Sequence, residues 1–351
     1  MLAKQKKNLA CSLLAAMIVA TAGLAPAADA AVAPGYLLLS PYKDITVDMN
    51  WKNDVMQTAA SGTSLPLVGA GGFYATQEPR LGAVTLSFAT GACGSESWAG
   101  LSAAAFASAN IGALSNAGVN YVISTGGAAG VFTCAMPSAF ASFIATYYTP
   151  QMVGVDFDIE STQTQAEIQQ LVADAAAVQT QYPNLRFSFT LATLAASDGS
   201  YAGLNTLGQQ VVQAIQASNP AITNYTINLM AMDYGKAAAS NCVVLSGACE
   251  MGQSAIQAVA NLEHSYGIAP THIELTPMIG QNNSSGEITT VSDVDTITSY
   301  AIANGLAGLH YWSLDRDTPC SSKKAVSNSC NGVSGSTSLQ YTNEFLKDLG
   351  R

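Results

Sequence analysis

Between Gln151 and Glu160 the chain reads Gln-Met-Val-Gly-Val-Asp-Phe-Asp-Ile-Glu, so that Asp156, Asp158 and Glu160 fall at every second position. In an extended strand successive side chains point to opposite faces, which puts the three carboxylates on one face and Val155, Phe157 and Ile159 on the other. No helix lines them up in this way. Three like charges in a row repel one another, and a strand with a purely structural task has no use for them. Their natural use is chemistry that needs one carboxyl kept protonated beside another kept ionised.

Two blander readings compete. A solvent-facing edge strand can carry acids on one face, but it seldom sets Val, Phe and Ile opposite them or follows Met-Val-Gly-Val. A calcium loop would use the acids as positions 1, 3 and 5, with Glu167 at position 12; it fails at position 6, where the turn needs Gly and this chain has Ser161.

Seven further β-type runs share the chain with this one: Gly35 to Leu39, Val84 to Phe88, Tyr121 to Ser124, Phe187 to Ala192, Thr226 to Met232, Ile273 to Ile279 and Leu306 to Trp312. The acidic run, Val153 to Asp158, is fourth of the eight. Helical stretches follow from the second run onward: Ser97 to Ala117, Pro137 to Tyr147, Thr164 to Gln181, Leu207 to Ala217, Gly252 to Tyr266, Ser292 to Asn304 and Ser338 to Leu349. Strand and crossover helix in alternation is the rhythm of a parallel sheet. Eight such units predict an α/β fold, a closed (β/α)8 TIM barrel filling residues 31–351 as a single domain. A doubly wound dinucleotide fold lacks its Gly-x-Gly-x-x-Gly turn here. In a barrel the site lies at the C-terminal strand ends. Polar and aromatic residues collect there: Ser124 to Gly127, Glu160, Asp233-Tyr234-Gly235, Gln281-Asn282-Asn283 and Trp312 to Asp315.

The first 30 residues read as a secretory signal peptide: Lys4, Lys6 and Lys7, an apolar stretch from Leu9 to Ala22, and small residues ending at Ala30. That stretch is too short for a membrane span, and no later segment is long enough. The reading implies an exported protein, extracellular or periplasmic. Without Cys11, six of the seven cysteines remain, an even number suited to an oxidising compartment. Cys242 with Cys249 and Cys320 with Cys330 would close short loops, leaving Cys93 with Cys134. The net charge of −10 becomes about −12 once the signal is removed, which repels nucleic acid and anionic membranes. His264, His272 and His310 show no metal spacing, so neither a metal nor a cofactor is expected.

The acidic run resembles the signature of glycoside hydrolase family 18, Asp-Gly-x-Asp-x-Asp-x-Glu, through Gly154, Asp156, Asp158 and Glu160, with Val153 replacing the first Asp. Ser124-Thr125-Gly126-Gly127 is similar to the family's Ser-x-Gly-Gly on the third strand, Met232-Asp233-Tyr234 to its Met-x-Tyr on the sixth, and Trp312 to the tryptophan ending the eighth. The resemblance spans almost the whole chain after the signal, in consistent order. It implies a chitinase, a retaining glycosidase in which the substrate's own acetamido oxygen attacks the anomeric carbon.

On that resemblance, Glu160 is the general acid and later the base, Asp158 holds the acetamido N–H, Asp156 orients Asp158 or shares its proton, and Tyr234 donates to the acetamido oxygen. Trp312 forms the floor under the sugar; Met232, Asp233 and Gln281 complete the substrate-binding set. The sixth-strand register has an alternative, Met230-Ala231-Met232-Asp233, which keeps Asp233 and loses Tyr234; strand parity favours Tyr234. Ser124, Gly126 and Gly127 support the catalytic strand, and Trp51 and Trp98 are weaker substrate platforms. About 26 residues separate the seventh and eighth runs, too few for the α+β insertion of some family members. An open cleft, internal cleavage of chitin or chito-oligosaccharides and a monomer are the expectations. An endo-β-N-acetylglucosaminidase acting on N-glycans and a chitin-binding lectin are the alternatives.

Overall fold

The computed structural model describes residues 37–322 and 326–351. The secretory-signal reading of residues 1–30, with Cys11, lies outside the described residues. Eight parallel strand positions form one sheet that closes on itself. The first, β1, is interrupted at Ser40-Pro41 into Leu38–Leu39 and Tyr42–Asp44; proline has no N–H to give a ladder. Its first half pairs with β8 (Gly308–Leu309) and its second with β2 (Ala83–Ala89), and these two pairings close the barrel. Between them run β3 (Asn120–Gly126), β4 (Met152–Ile159), β5 (Arg186–Ala192), β6 (Tyr225–Ala231) and β7 (Ile273–Pro277), each parallel to its neighbour.

The crossover helices are α1 (Ala103–Asn116), α2 (Pro137–Tyr147), α3 (Gln165–Val178), α4 (Thr206–Ala217), α5 (Met251–Tyr266) and α6 (Val291–Asn304), and α7 (Gln340–Asp348) follows β8. Their ends follow local chemistry. Thr164 with Glu167, and Thr290 with Asp293, close capping boxes that satisfy the orphan N–H groups of α3 and α6. Glu167, weighed above as a calcium ligand, is thus spent on a cap. Gly267 and Gly305 end α5 and α6 in the left-handed conformation.

The start of α1 departs from the sequence reading. The helix expected from Ser97 begins only at Ala103, because Ser97–Trp98 and Leu101–Ser102 form a hairpin whose turn residues Ala99 and Gly100 both have positive φ. Between β1 and β2 a small antiparallel sheet (Met49–Asn50, Val55–Thr58 and Leu65–Pro66) and a one-turn helix at Phe73–Thr76 occupy the place of a crossover helix. Between β7 and β8 there are a short hairpin and α6, without an α+β insertion. The disulfides pair Cys93 with Cys134, Cys242 with Cys249 and Cys320 with Cys330.

The lower barrel explains Val153. Pairing of β3 with β4 jumps from Tyr121–Met152 to Val122–Gly154, leaving Val153 as the extra residue of a bulge. Its buried side chain packs with Leu38, Ala83 and Val122 in an apolar cluster of its own at the N-terminal strand ends. Gly154 is required beside it, since a Cβ there would lie 2.7 Å from the Arg186 carbonyl oxygen. Above this cluster Arg186 pairs with buried Glu274 and donates to Ala307 O at 3.0 Å. His310 Nε2 lies 3.5 Å from the other Glu274 oxygen, while its Nδ1 meets Ser40 O at 2.8 Å.

Candidate active site

The inner face of β4 carries the three acids upward in the order the alternation dictates, and each meets a different environment. Asp156 is buried in the barrel interior. Its Oδ2 accepts from Ser124 Oγ at 2.6 Å and Tyr42 OH at 3.0 Å; its Oδ1 accepts from Ser188 Oγ and Thr190 Oγ1, both at 2.7 Å. Burial raises its pKa, and the hydroxyls of Ser124, Thr190 and Ser188 oppose the rise. The hydroxyl layer is itself cross-linked. Asn228 Nδ2 donates to Tyr42 OH at 3.0 Å and Thr190 Oγ1 at 2.8 Å, and Thr276 Oγ1 donates to Asn228 Oδ1 at 2.8 Å.

Asp158, one step higher, is equally enclosed but unsupported. It is 4% exposed, its side chain makes no hydrogen bond among the described residues, and Oδ1 is buried without a partner. Burial first, then the charges of Glu160 and Asp156, push its pKa well above the ordinary carboxylate range. An unpartnered buried carboxylate is costly in a folded protein and needs an explanation. Glu160 stands at the strand's end, partly buried. Burial raises its pKa, the Ala128 N–H lowers it, and the charge of Asp233 raises it.

Two cavities meet at Glu160. The smaller, about 250 Å³, holds Asp158, Tyr42, Phe88, Trp312 and Asn283. The larger, about 680 Å³, runs over the loop that follows β5. Glu160, Met230, Met232 and Asp233 line both. In the smaller cavity Trp312 is stacked on Phe88, with centroids 5.7 Å apart and planes 17° from parallel, and lies 6.0 Å from the Tyr42 ring. The glycines of the third-strand motif make this possible. Gly126 lies so close to the Asp158 carbonyl that no Cβ fits, and a Cβ on Gly127 would touch the Phe88 ring at 3.0 Å. Both have positive φ, and Gly127 N donates to Asp158 O at 3.0 Å.

Asp156, Asp158, Glu160, Met232, Asp233 and Trp312 are therefore brought together as expected from the sequence. Tyr234 and Gln281 are not. β6 ends at Ala231, Met232 N turns back onto Met230 O at 2.9 Å, and Asp233 takes a left-handed φ of 54°. Parity cannot be counted across that turn. It sends Asp233 into the cleft and Tyr234 out of its lining, with a buried, unpartnered hydroxyl whose pKa is raised by burial and then by Glu287 and Glu250. The structure thus brings Asp233, and not Tyr234, to the cavity lining, as the Met230-Ala231-Met232-Asp233 reading expects. Asp233 is held there by Asn283 Nδ2 at 2.7 Å and Ser284 N at 2.8 Å.

Gln281 lies in the hairpin Gly280–Gln281 with Ile288–Thr289, against Gly332, and lines neither cavity; Asn283 takes the place expected for it. Trp98 is core, stacked on Phe106 and donating from Nε1 to Tyr147 OH at 2.9 Å. Trp51 is 53% exposed and lines neither cavity. Tyr42 carries no signal in the sequence because it follows Pro41, beyond the first apolar run, and Thr190 and Thr276 carry none beyond their place inside apolar runs.

Comparison with known proteins bears on this geometry. No family model matches the chain. The structure superposes on the catalytic domain of a hyperthermophilic chitinase from Pyrococcus furiosus with a TM-score of 0.63 and 22% identity, covering 90% of this chain and 95% of that one. The chain has the fold of a chitinase catalytic domain. A second P. furiosus structure, of catalytic-site mutants complexed with chito-oligosaccharides, matches with the same score. In sequence the chain is 28% identical over 228 residues to a probable bifunctional chitinase/lysozyme of Escherichia coli and 27% identical to Endochitinase 11 of Metarhizium anisopliae. Each match covers 60% of this chain, but only 24% and 42% of those relatives. The family 18 resemblance drawn from the motifs thus agrees with relatives found by sequence and by fold. No helix among the described residues is long and apolar enough to cross a membrane.

Proposed function

We propose that this chitinase-like barrel is a glycoside hydrolase that cleaves β-1,4 bonds between N-acetylglucosamine units with retention, using the substrate's acetamido group as nucleophile. The observation that carries the reading is the buried, unpartnered Asp158 carboxylate below Glu160. Asp158 offers an acceptor that no donor among the described residues satisfies, and an acetamido N–H supplies the missing donor. Once that N–H is held, the acetamido carbonyl can attack the anomeric carbon and form an oxazolinium cation; that cation and the ionised form of Asp158 stabilise each other. Asp156, fixed by four hydroxyls, lies one step below on the same strand face, and its charge adds to the rise in the Asp158 pKa.

Glu160 protonates the departing glycosidic oxygen as that bond breaks, then takes a proton from the water that opens the oxazolinium ring. Burial, opposed by the Ala128 N–H, raises its pKa, the direction that the first step needs. Trp312, backed by Phe88, presents an aromatic face to the sugar in the smaller cavity. The cleft extends on both sides of Glu160, which favours internal cleavage. Disulfides in three loop regions and a low content of charged residues, 10%, suit an enzyme exported to meet a neutral polymer.

The test is hydrolysis of a short chito-oligosaccharide with the first-formed anomer read by NMR. The β-anomer is expected; an inverted product overturns substrate assistance. Release of glycans from a high-mannose glycoprotein without cleavage of chito-oligosaccharides would move the substrate to N-glycans, and binding without turnover of either would make the barrel a lectin.

A further inference from the structure

The catalytic chemistry above uses the smaller cavity and leaves the larger one unassigned. The larger cavity begins at Glu160, Met232 and Asp233 and ends at Tyr201, Ser265 and Tyr266. Apart from Glu160 and Asp233 its lining is uncharged, and it mixes hydroxyls and amides with aromatic rings, the composition a neutral sugar requires. At its far side Tyr201 is 38% exposed and lies flat on His264, with centroids 3.6 Å apart and planes 17° from parallel.

The loop bearing Tyr201 is built to hold it. Asn261, fully buried on α5, donates through Nδ2 to Ala196 O at 3.1 Å and Ala202 O at 2.9 Å. Ser265 Oγ donates to Tyr201 O at 3.1 Å, and Leu194 N to Gly203 O at 2.9 Å. Tyr201 itself has a φ of 55°, a left-handed conformation unfavourable for a side chain of this size. A loop held by hydrogen bonds from the buried Asn261 and from Ser265, with an exposed tyrosine in a strained conformation at its tip, points to a use for that ring.

We propose that the larger cavity takes the leaving-group half of the oligosaccharide, and that Tyr201, backed by His264, is the stacking platform for a sugar ring there. Glu160 at the seam of the two cavities then stands between the sugar that is attacked and the sugar that departs, where its proton is needed. The inference rests on the proposed glycosidase reading. It makes Tyr201 a specificity-determining residue: it selects substrates whose leaving group is itself an oligosaccharide.

The experiment compares two substrates that share the attacked disaccharide, a chito-oligosaccharide with a leaving group of two or more sugars and the disaccharide fluoride, whose leaving group is one atom. The quantity read is the ratio of their kcat/KM values in wild type, Tyr201→Ala and His264→Ala. Tyr201→Ala is expected to lower that ratio about tenfold, mainly through KM, the loss of one aromatic stacking contact. His264→Ala should lower it by a smaller factor. A ratio within about twofold of wild type in Tyr201→Ala overturns the platform, whether or not both activities fall together. A wild-type protein that hydrolyses neither substrate overturns the glycosidase reading instead.

Discussion

The lower and upper ends of the barrel solve the same electrostatic problem in opposite ways. At the lower end Glu274 is fully buried, and burial alone would raise its pKa; Arg186 and His310 overcome that and hold it at about 2. At the upper end Asp158 is just as enclosed, but its neighbours are Glu160 and Asp156, so burial and charge push the same way. A compensated acid contributes to stability, whereas an uncompensated one costs stability and retains reactivity. The difference separates scaffold from site without reference to any relative.

That contrast can be broken at four points. Glu160→Gln removes the proposed proton donor and keeps the shape, so hydrolysis of a chito-oligosaccharide should fall at least about a hundredfold while calorimetry still detects sugar binding; near-normal turnover would remove Glu160 from the acid's role. Glu274→Ala leaves Arg186 uncompensated in the interior and should cost about 3–5 kcal/mol of stability, read from urea unfolding. Because the folded pKa of Glu274 lies below its ordinary value of 4.5, its contribution is present above that value and is lost as pH falls toward about 2. Wild type and Glu274→Ala should therefore converge in stability through that acid window.

Asp158→Asn should do the reverse. An acid with a raised folded pKa costs stability once pH exceeds its unfolded value, so the amide should raise Tm at neutral pH by a few degrees and lower kcat about tenfold or more. A drop in Tm would show that Asp158 is compensated after all. Asp233→Asn gives the smallest effect: it removes one charge that raises Glu160, so the basic limb of the pH–rate profile should move to lower pH, and an unmoved limb would detach Asp233 from the acid.

Much of this was legible in the sequence because it depends on period. Alternation over Val153 to Glu160 put three acids on one face, and β4 presents them so; eight apolar runs separated by helix-length stretches gave the barrel, with strand ends off by a few residues. The glycines at Gly126 and Gly127 were read as permitting close approach, and the Asp158 backbone and the Phe88 ring are what approach. Period failed where the backbone left regular structure. Parity carried Tyr234 into the cleft on paper, but the turn at Met232 and the positive φ of Asp233 reversed it. Gln281 was lost to a hairpin in the same way, and Val153 acquired its place from a bulge that no pattern announces.

The sequence by itself determined which residues share the inner face of β4, because side-chain direction in a strand is a local property of the backbone. Only the tertiary structure decided what each of those acids meets. Four hydroxyls from β1, β3 and β5 converge on Asp156, no donor among the described residues converges on the Asp158 carboxylate, and the charge of Asp233 acts on Glu160 from the end of β6, two strands away. Charge and desolvation act through space, and residues far apart in the chain become neighbours only when the barrel closes.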